Sequence, residues 1–105
     1  MKPNLGQFLV EIGNTDNRLT QKEWSEYIRM VDFYIRKLSQ SVYFVGYSAG
    51  NEQYQNAAWH FSQGSLMDIK HLRRYLNNIR VEFNQDAIAW SATIPDWIID
   101  NPIQM

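Results

Sequence analysis

The chain contains no cysteine, which excludes disulfide staples, thiolate nucleophiles and cysteine-held metals. Its five glycines, Gly6, Gly13, Gly46, Gly50 and Gly64, are dispersed, so no glycine-rich phosphate loop forms and no nucleotide cofactor is implied. Neither sign of charge dominates: 10 Lys and Arg stand against 11 Asp and Glu, for a net charge of -1. A chain so balanced lacks the general basic field from which non-specific nucleic-acid binders draw counterion-release energy, which argues against nucleic acid as the partner. No apolar run approaches the roughly 20 residues that span a bilayer. The start, Met1 to Leu9, carries Lys2 but no long apolar stretch behind it, so no secretory leader and no membrane partner are expected. With cysteine absent, the reducing cytoplasm is the expected compartment.

Aromatic residues and side-chain amides are abundant instead. Rings make up 14% of the 105 residues, a composition that suits contact surfaces more than charge-driven binding. The length fits one domain with one core. We divide it into a folded unit over 1–91 and an apolar tail over 92–105, whose Ile94, Trp97, Ile98, Ile99 and Ile103 are too apolar for a free disordered segment. The tail is expected to dock on the domain or on a partner.

Leu5 to Ile12 alternates, with Phe8, Val10 and Ile12 on one side and Leu9 and Glu11 on the other, the period of a strand. After the turn cluster Gly13 to Asn17, Thr20-Gln21-Lys22-Glu23 spells a capping box that starts a helix at Gln21. Trp24, Tyr27, Ile28, Val31, Ile35 and Leu38 form its apolar stripe. Two β-prone runs follow, Ser41 to Tyr47 and Gln53 to Phe61, around Gly50-Asn51, a pair suited to a two-residue hairpin. That turn would set Tyr47 opposite Tyr54, Val45 opposite Asn56, Tyr43 opposite Ala58 and Ser41 opposite His60 on one face. Phe44 would meet Ala57, and Val42 would meet Trp59, on the other. Ser65 and Asp68 signal a second helix with Leu66, Ile69, Leu72, Leu76, Ile79 and Phe83 inward. A last strand is expected over Asp86 to Trp90, with Ile88 and Trp90 toward the core. The order βαββαβ predicts an α+β, ferredoxin-like plait: a four-stranded antiparallel sheet with two helices on one face.

Two short motifs suggest chemistry. Gly46-Tyr47-Ser48-Ala49-Gly50 resembles the nucleophile elbow of α/β-hydrolases, but that elbow requires a helix straight after it, and here a strand follows. A run of mostly small residues in a hairpin is the plainer explanation. Val42-Tyr43-Phe44-Val45-Gly46-Tyr47 resembles the shorter RNA-contact motif of RNA-recognition domains, which share the βαββαβ order and stack bases on exposed rings. In that family the motif lies on the first strand, whereas here it lies on the second, and the longer basic and aromatic motif has no counterpart on the third.

The surface with the clearest character is the expected open face: Tyr43, Val45, Tyr47, Tyr54, Asn56 and His60. Rings with polar tips bury large areas at small entropic cost, so such a strip favours contact with another protein, including a second copy of this chain. Lys70, Arg73 and Arg74 on the second helix can grip an acidic surface, although a solvated helix face explains three cations as well. His60 and His71 have no carboxylate at metal spacing, so no metal site is implied. The expectation is a small non-enzymatic interaction module, of the kind that phages and other mobile elements encode as inhibitors or immunity factors, anti-CRISPR proteins among them. A cofactor-free enzyme or ligand-binding dimer of the same fold, with His60 beside Tyr43 or Tyr54, is the alternative; an RNA-recognition-like binder is the third.

Overall fold

A computed structural model describes residues 6–48 and 55–94. Its elements run β1 (Gly6–Gly13), a short 3-10 turn (Thr15–Asn17), α1 (Gln21–Leu38), β2 (Ser41–Tyr47), β3 (Asn56–Gln63), α2 (Leu66–Glu82) and β4 (Ala89–Ala92). The four strands form one antiparallel sheet in the order β2-β3-β1-β4, with both helices packed on one face, the arrangement of a ferredoxin-like plait. No helix among the described residues is long and apolar enough to cross a membrane.

Local chemistry explains the boundaries. Thr20 accepts a hydrogen bond from the Glu23 amide, while the Glu23 carboxylate accepts from the Thr20 amide, so two orphan donors at the start of α1 are satisfied reciprocally. The Thr20 backbone amide, and after it the Thr20 hydroxyl, hold the exposed Glu23 carboxyl below its ordinary pKa. Ser65 caps α2 through the Asp68 amide. The turn before α1 needs Asp16 and Asn17 in the left-handed region, at φ 51° and 56°, conformations that Asp and Asn tolerate better than most residues.

The core lies between sheet and helices. Phe8, Val10 and Ile12 of β1 and Ala57, Trp59 and Phe61 of β3 meet Trp24, Tyr27, Val31 and Ile35 of α1 and Ile69, Leu72, Leu76 and Ile79 of α2. Trp59 is fully buried, and its indole N–H donates to Asp32 Oδ1 at 3.0 Å, while Asp32 also accepts from Arg36 Nε. A large ring therefore enters the core without stranding its one polar atom. Tyr27 is fully buried and stacks on Phe83 at 5.1 Å. Burial pushes its hydroxyl up to about 12, with Arg80 opposing the shift.

Amides seal the end of the molecule where β1, β3 and the last loop meet. The buried Asn14 side chain bonds both the Leu19 amide and carbonyl and also Gln55, which donates onward to Gln21. Gln85 accepts from the Thr15 amide and donates to the Phe83 carbonyl. Arg18 pairs with Asp86 at 2.8 Å, and Arg80 donates to the Gln85 and Asp86 carbonyls.

Several expected boundaries shift. β3 begins at Asn56, with Gln55 outside the strand and Gln53 outside the described residues, and extends to Gln63, while β4 occupies Ala89–Ala92 rather than Asp86 to Trp90. Trp90 and Ile88 pack against the core as expected. The Gly50-Asn51 turn, Tyr54 and the tail beyond Ile94 lie outside the described residues.

Candidate functional site: the open sheet face

The largest departure from the sequence reading lies in β2. Its pairing with β3 runs Ser41 to Ser62 and Val42 to Phe61, then slips, and resumes as Phe44 to His60, Val45 to Trp59, Gly46 to Ala58 and Tyr47 to Ala57. The slip is a β-bulge at Tyr43, an extra residue that reverses the facing of everything after it. Val42 stays on the helix side as expected. Phe44, expected in the core, instead lies on the open face at 57% exposure; Val45, expected on the open face, packs against the core. Tyr47 follows Val45 onto the helix side of the edge strand and is 62% exposed there.

The open face is ordered in rows across the sheet. Phe44, His60, Leu9 and Ser91 stand opposite one another on β2, β3, β1 and β4. Gly46, Ala58, Glu11 and Ala89 form the next row. The bulged Tyr43 sets its ring against His60 at a centroid separation of 5.2 Å, and His60 Nε2 lies 3.0 Å from Gln7 Oε1. Tyr43 is 53% exposed, so two consecutive large rings project from the β2 end of the central row. The flanking row is small where it meets them. A Cβ built on Gly46 would lie 2.7 Å from the Phe44 ring; glycine there lets that ring lie down across its own strand. Glu11 contributes the acidic side chain of the row beside them.

Of the residues singled out in the sequence, Tyr43, Asn56 and His60 lie on this face, whereas Val45 and Tyr47 do not. Lys70, Arg73 and Arg74 belong to the helix layer on the opposite side of the sheet. Arg73 places its guanidinium 5.6 Å from the centroid of the Trp90 ring, a cation–π contact that braces β4, and Arg74 is exposed. Leu9 lies opposite the buried side of β1, as its alternation predicts, whereas Phe44 was missed as an open-face residue. The available signal was Gly46, two residues beyond Phe44 on a strand, where glycine marks close approach by another group.

The serine of the elbow-like motif has a structural task. Ser48 donates its amide to the Asn56 carbonyl at 2.8 Å and accepts from the Asn56 amide through Oγ at 3.0 Å, which closes the β2–β3 ladder. A cleft of about 350 Å³ opens at the other end of that hairpin, lined by Lys37, Gln40, Gln63 and Ser65 among others. His60 and Tyr43 are not part of it. Gln63 is engaged inside it: its amide donates to the Leu38 carbonyl, and its oxygen accepts from the Gly64 and Ser65 amides. Among the described residues no group of three or more His, Asp or Glu converges as a metal site would require.

No protein-family model matches the chain, and no curated protein sequence matches it. Solved structures share its fold. The solution structure of the C-terminal domain of the MgtC protein from Mycobacterium tuberculosis is similar with a TM-score of 0.55 at 11% identity, covering 84% of this chain and 87% of that one. A de novo designed protein, Foldit4, is similar with a TM-score of 0.56 at 13% identity, covering 86% and 94%. Likeness at such identity concerns the fold alone, and a designed protein among the neighbours illustrates that this architecture carries no function by itself.

Proposed function

We propose that the protein is a small binding module that docks another protein on its open sheet face, and that it acts by occupying a partner's surface, as an inhibitor or immunity factor of a phage or other mobile element does, without turning over a substrate. The observation that carries this reading is the ring pair Tyr43 and Phe44, each more than half exposed and both directed to the open face by one bulge. Exposed rings that lie together are the usual anchors of contact surfaces, since they bury much area while few rotors are frozen. Beside them Gly46, Ala58 and Ala89 leave room for a partner's side chains. Glu11 offers an anchor for a basic one. The partner this surface fits presents an apolar ridge with a Lys or Arg beside it.

The test is capture of binding proteins from the native host with the tagged parent, with a Tyr43→Asp, Phe44→Asp double variant, and with an Arg74→Glu variant. A protein retained by the parent and by Arg74→Glu, but lost at least about 100-fold with the double variant, is the expected result, because two central anchors are worth about 3 kcal/mol or more together. Equal capture by the folded double variant and the parent would remove the open face from the account.

A further inference from the structure

From the free edge of β2 we infer a second interface, with a second copy of this chain: two β2 strands pair antiparallel about a two-fold axis that passes between Gly46 and its counterpart. The inference does not depend on open-face docking, because it uses the backbone edge of the sheet and not its face.

Among the described residues β2 is an outer strand, since the order β2-β3-β1-β4 leaves it bonded on one side only. The other edge is kept short, with four residues in β4. β2 has seven, SVYFVGY, with no charge and no proline. Natural edge strands are commonly blunted by lysine, proline or an inward charge, and this one carries none of them. Its bulge disturbs only the stretch up to Phe44; from Phe44 to Tyr47 the register with β3 is regular.

The ladder fixes which backbone groups point outward. Ser48 donates to the Asn56 carbonyl, so Ser48 faces β3, and by the alternation of antiparallel pairing so do Gly46 and Phe44. Val45 and Tyr47 therefore aim their amides and carbonyls away from the sheet. In antiparallel self-pairing, Val45 of one copy and Tyr47 of the other form a hydrogen-bonded pair, the reciprocal pair follows by symmetry, and Gly46 falls opposite Gly46 at the axis.

Side chains suit that register. Tyr47, 62% exposed, comes to lie beside Val45 of the second copy, an aromatic and β-branched cross-strand pair. On the open face each Phe44 ring already covers its own Gly46, so the two rings meet over a glycine pair. Asp32 stands above this side of the sheet, as its bond from Trp59 shows, and it carries Arg36 with it at 2.9 Å. The two α1 helices that approach across the axis thus each present one charge of each sign. The assembly is a continuous eight-stranded sheet in which both Tyr43–Phe44 pairs lie together near its centre.

Sedimentation equilibrium of the full chain alone tests the proposal. The parent is expected to dimerise reversibly, Tyr47→Phe to retain the dimer, and Tyr47→Pro to weaken it by about 100-fold or more, since each proline removes an outward amide and symmetry counts the loss twice. Proline is tolerated where an edge amide faces outward, and circular dichroism verifies that the variant is folded. A second measurement keeps the test independent of that fold: in this cysteine-free chain, Gly46→Cys should form an intermolecular disulfide under mild oxidation, whereas Met67→Cys on α2 should not. A parent that stays monomeric to its solubility limit, a folded Tyr47→Pro that dimerises like the parent, or cross-linking no greater at Gly46 than at Met67 would each overturn the interface. All three readouts use the isolated chain, so their failure is distinct from failure to capture a foreign partner.

Discussion

Replacing Trp59 with alanine should lower the unfolding free energy by about 3–5 kcal/mol, the range for emptying a buried aromatic site. Trp59 is fully buried at the centre of the sheet's inner face, opposite Val10 on one side and Val45 on the other. Neither neighbour can collapse into the space, because each is fixed to its own strand. The substitution also removes the donor that Asp32 accepts at 3.0 Å, although Arg36 still neutralises that carboxylate. Domains of this size are stable by roughly 5–15 kcal/mol, so the loss is a large share of the total. The urea midpoint should fall steeply at nearly constant slope. A change below about 1 kcal/mol would mean that the indole is not enclosed between sheet and α1.

The second large effect separates two adjacent residues of β2. Val45→Asp should destabilise by about 2–4 kcal/mol, because it removes a partly buried apolar side chain and places a carboxylate against the core. Phe44→Asp should cost no more than about 1 kcal/mol, chiefly through the poor β-propensity of Asp, since the Phe44 ring is 57% exposed and its loss opens no cavity. Chemical denaturation of both variants reads the difference. The order would be reversed if β2 paired without a bulge, as the two-residue hairpin demands; equal effects would mean that neither facing is fixed.

The bulge also marks where the sequence stopped being legible. Element order, the Thr20 capping box, the stripes of both helices and the alternation of β1 were plain, because each is a local pattern repeated often enough to outvote an exception. β2 offers seven residues, nearly all β-prone, with apolar side chains at both parities, so period-2 reading cannot choose its faces. The choice was passed to the Gly50-Asn51 turn, and the observed register with β3 is displaced from the one that turn implies. Tyr43 and His60 were still placed on the open face, since the bulge puts both Tyr43 and Phe44 there. Val45 and Tyr47 lay beyond the slip and went to the other side. Asn14 reads in the sequence as turn chemistry, Gln55 as part of a strand and Gln85 as nothing in particular, because the burial of such side chains depends on segments that meet only in the fold.

Docking through the open sheet face is the central claim, and the absence of native cysteine allows a direct measurement of it. Single cysteines at Ala58, at Ala89 and, as a control on the helix layer, at Met67 can be labelled with a small thiol reagent in the free protein and in the complex with its captured partner. Positions 58 and 89 report the face with least disturbance, because alanine there is already small and both ring anchors are kept. The expected result is that labelling at 58 and 89 slows by at least about tenfold in the complex, as burial at the centre of an interface requires, while labelling at 67 is unchanged. Protection at 67 with unaltered labelling at 58 and 89 would contradict the account and assign the contact to the helices.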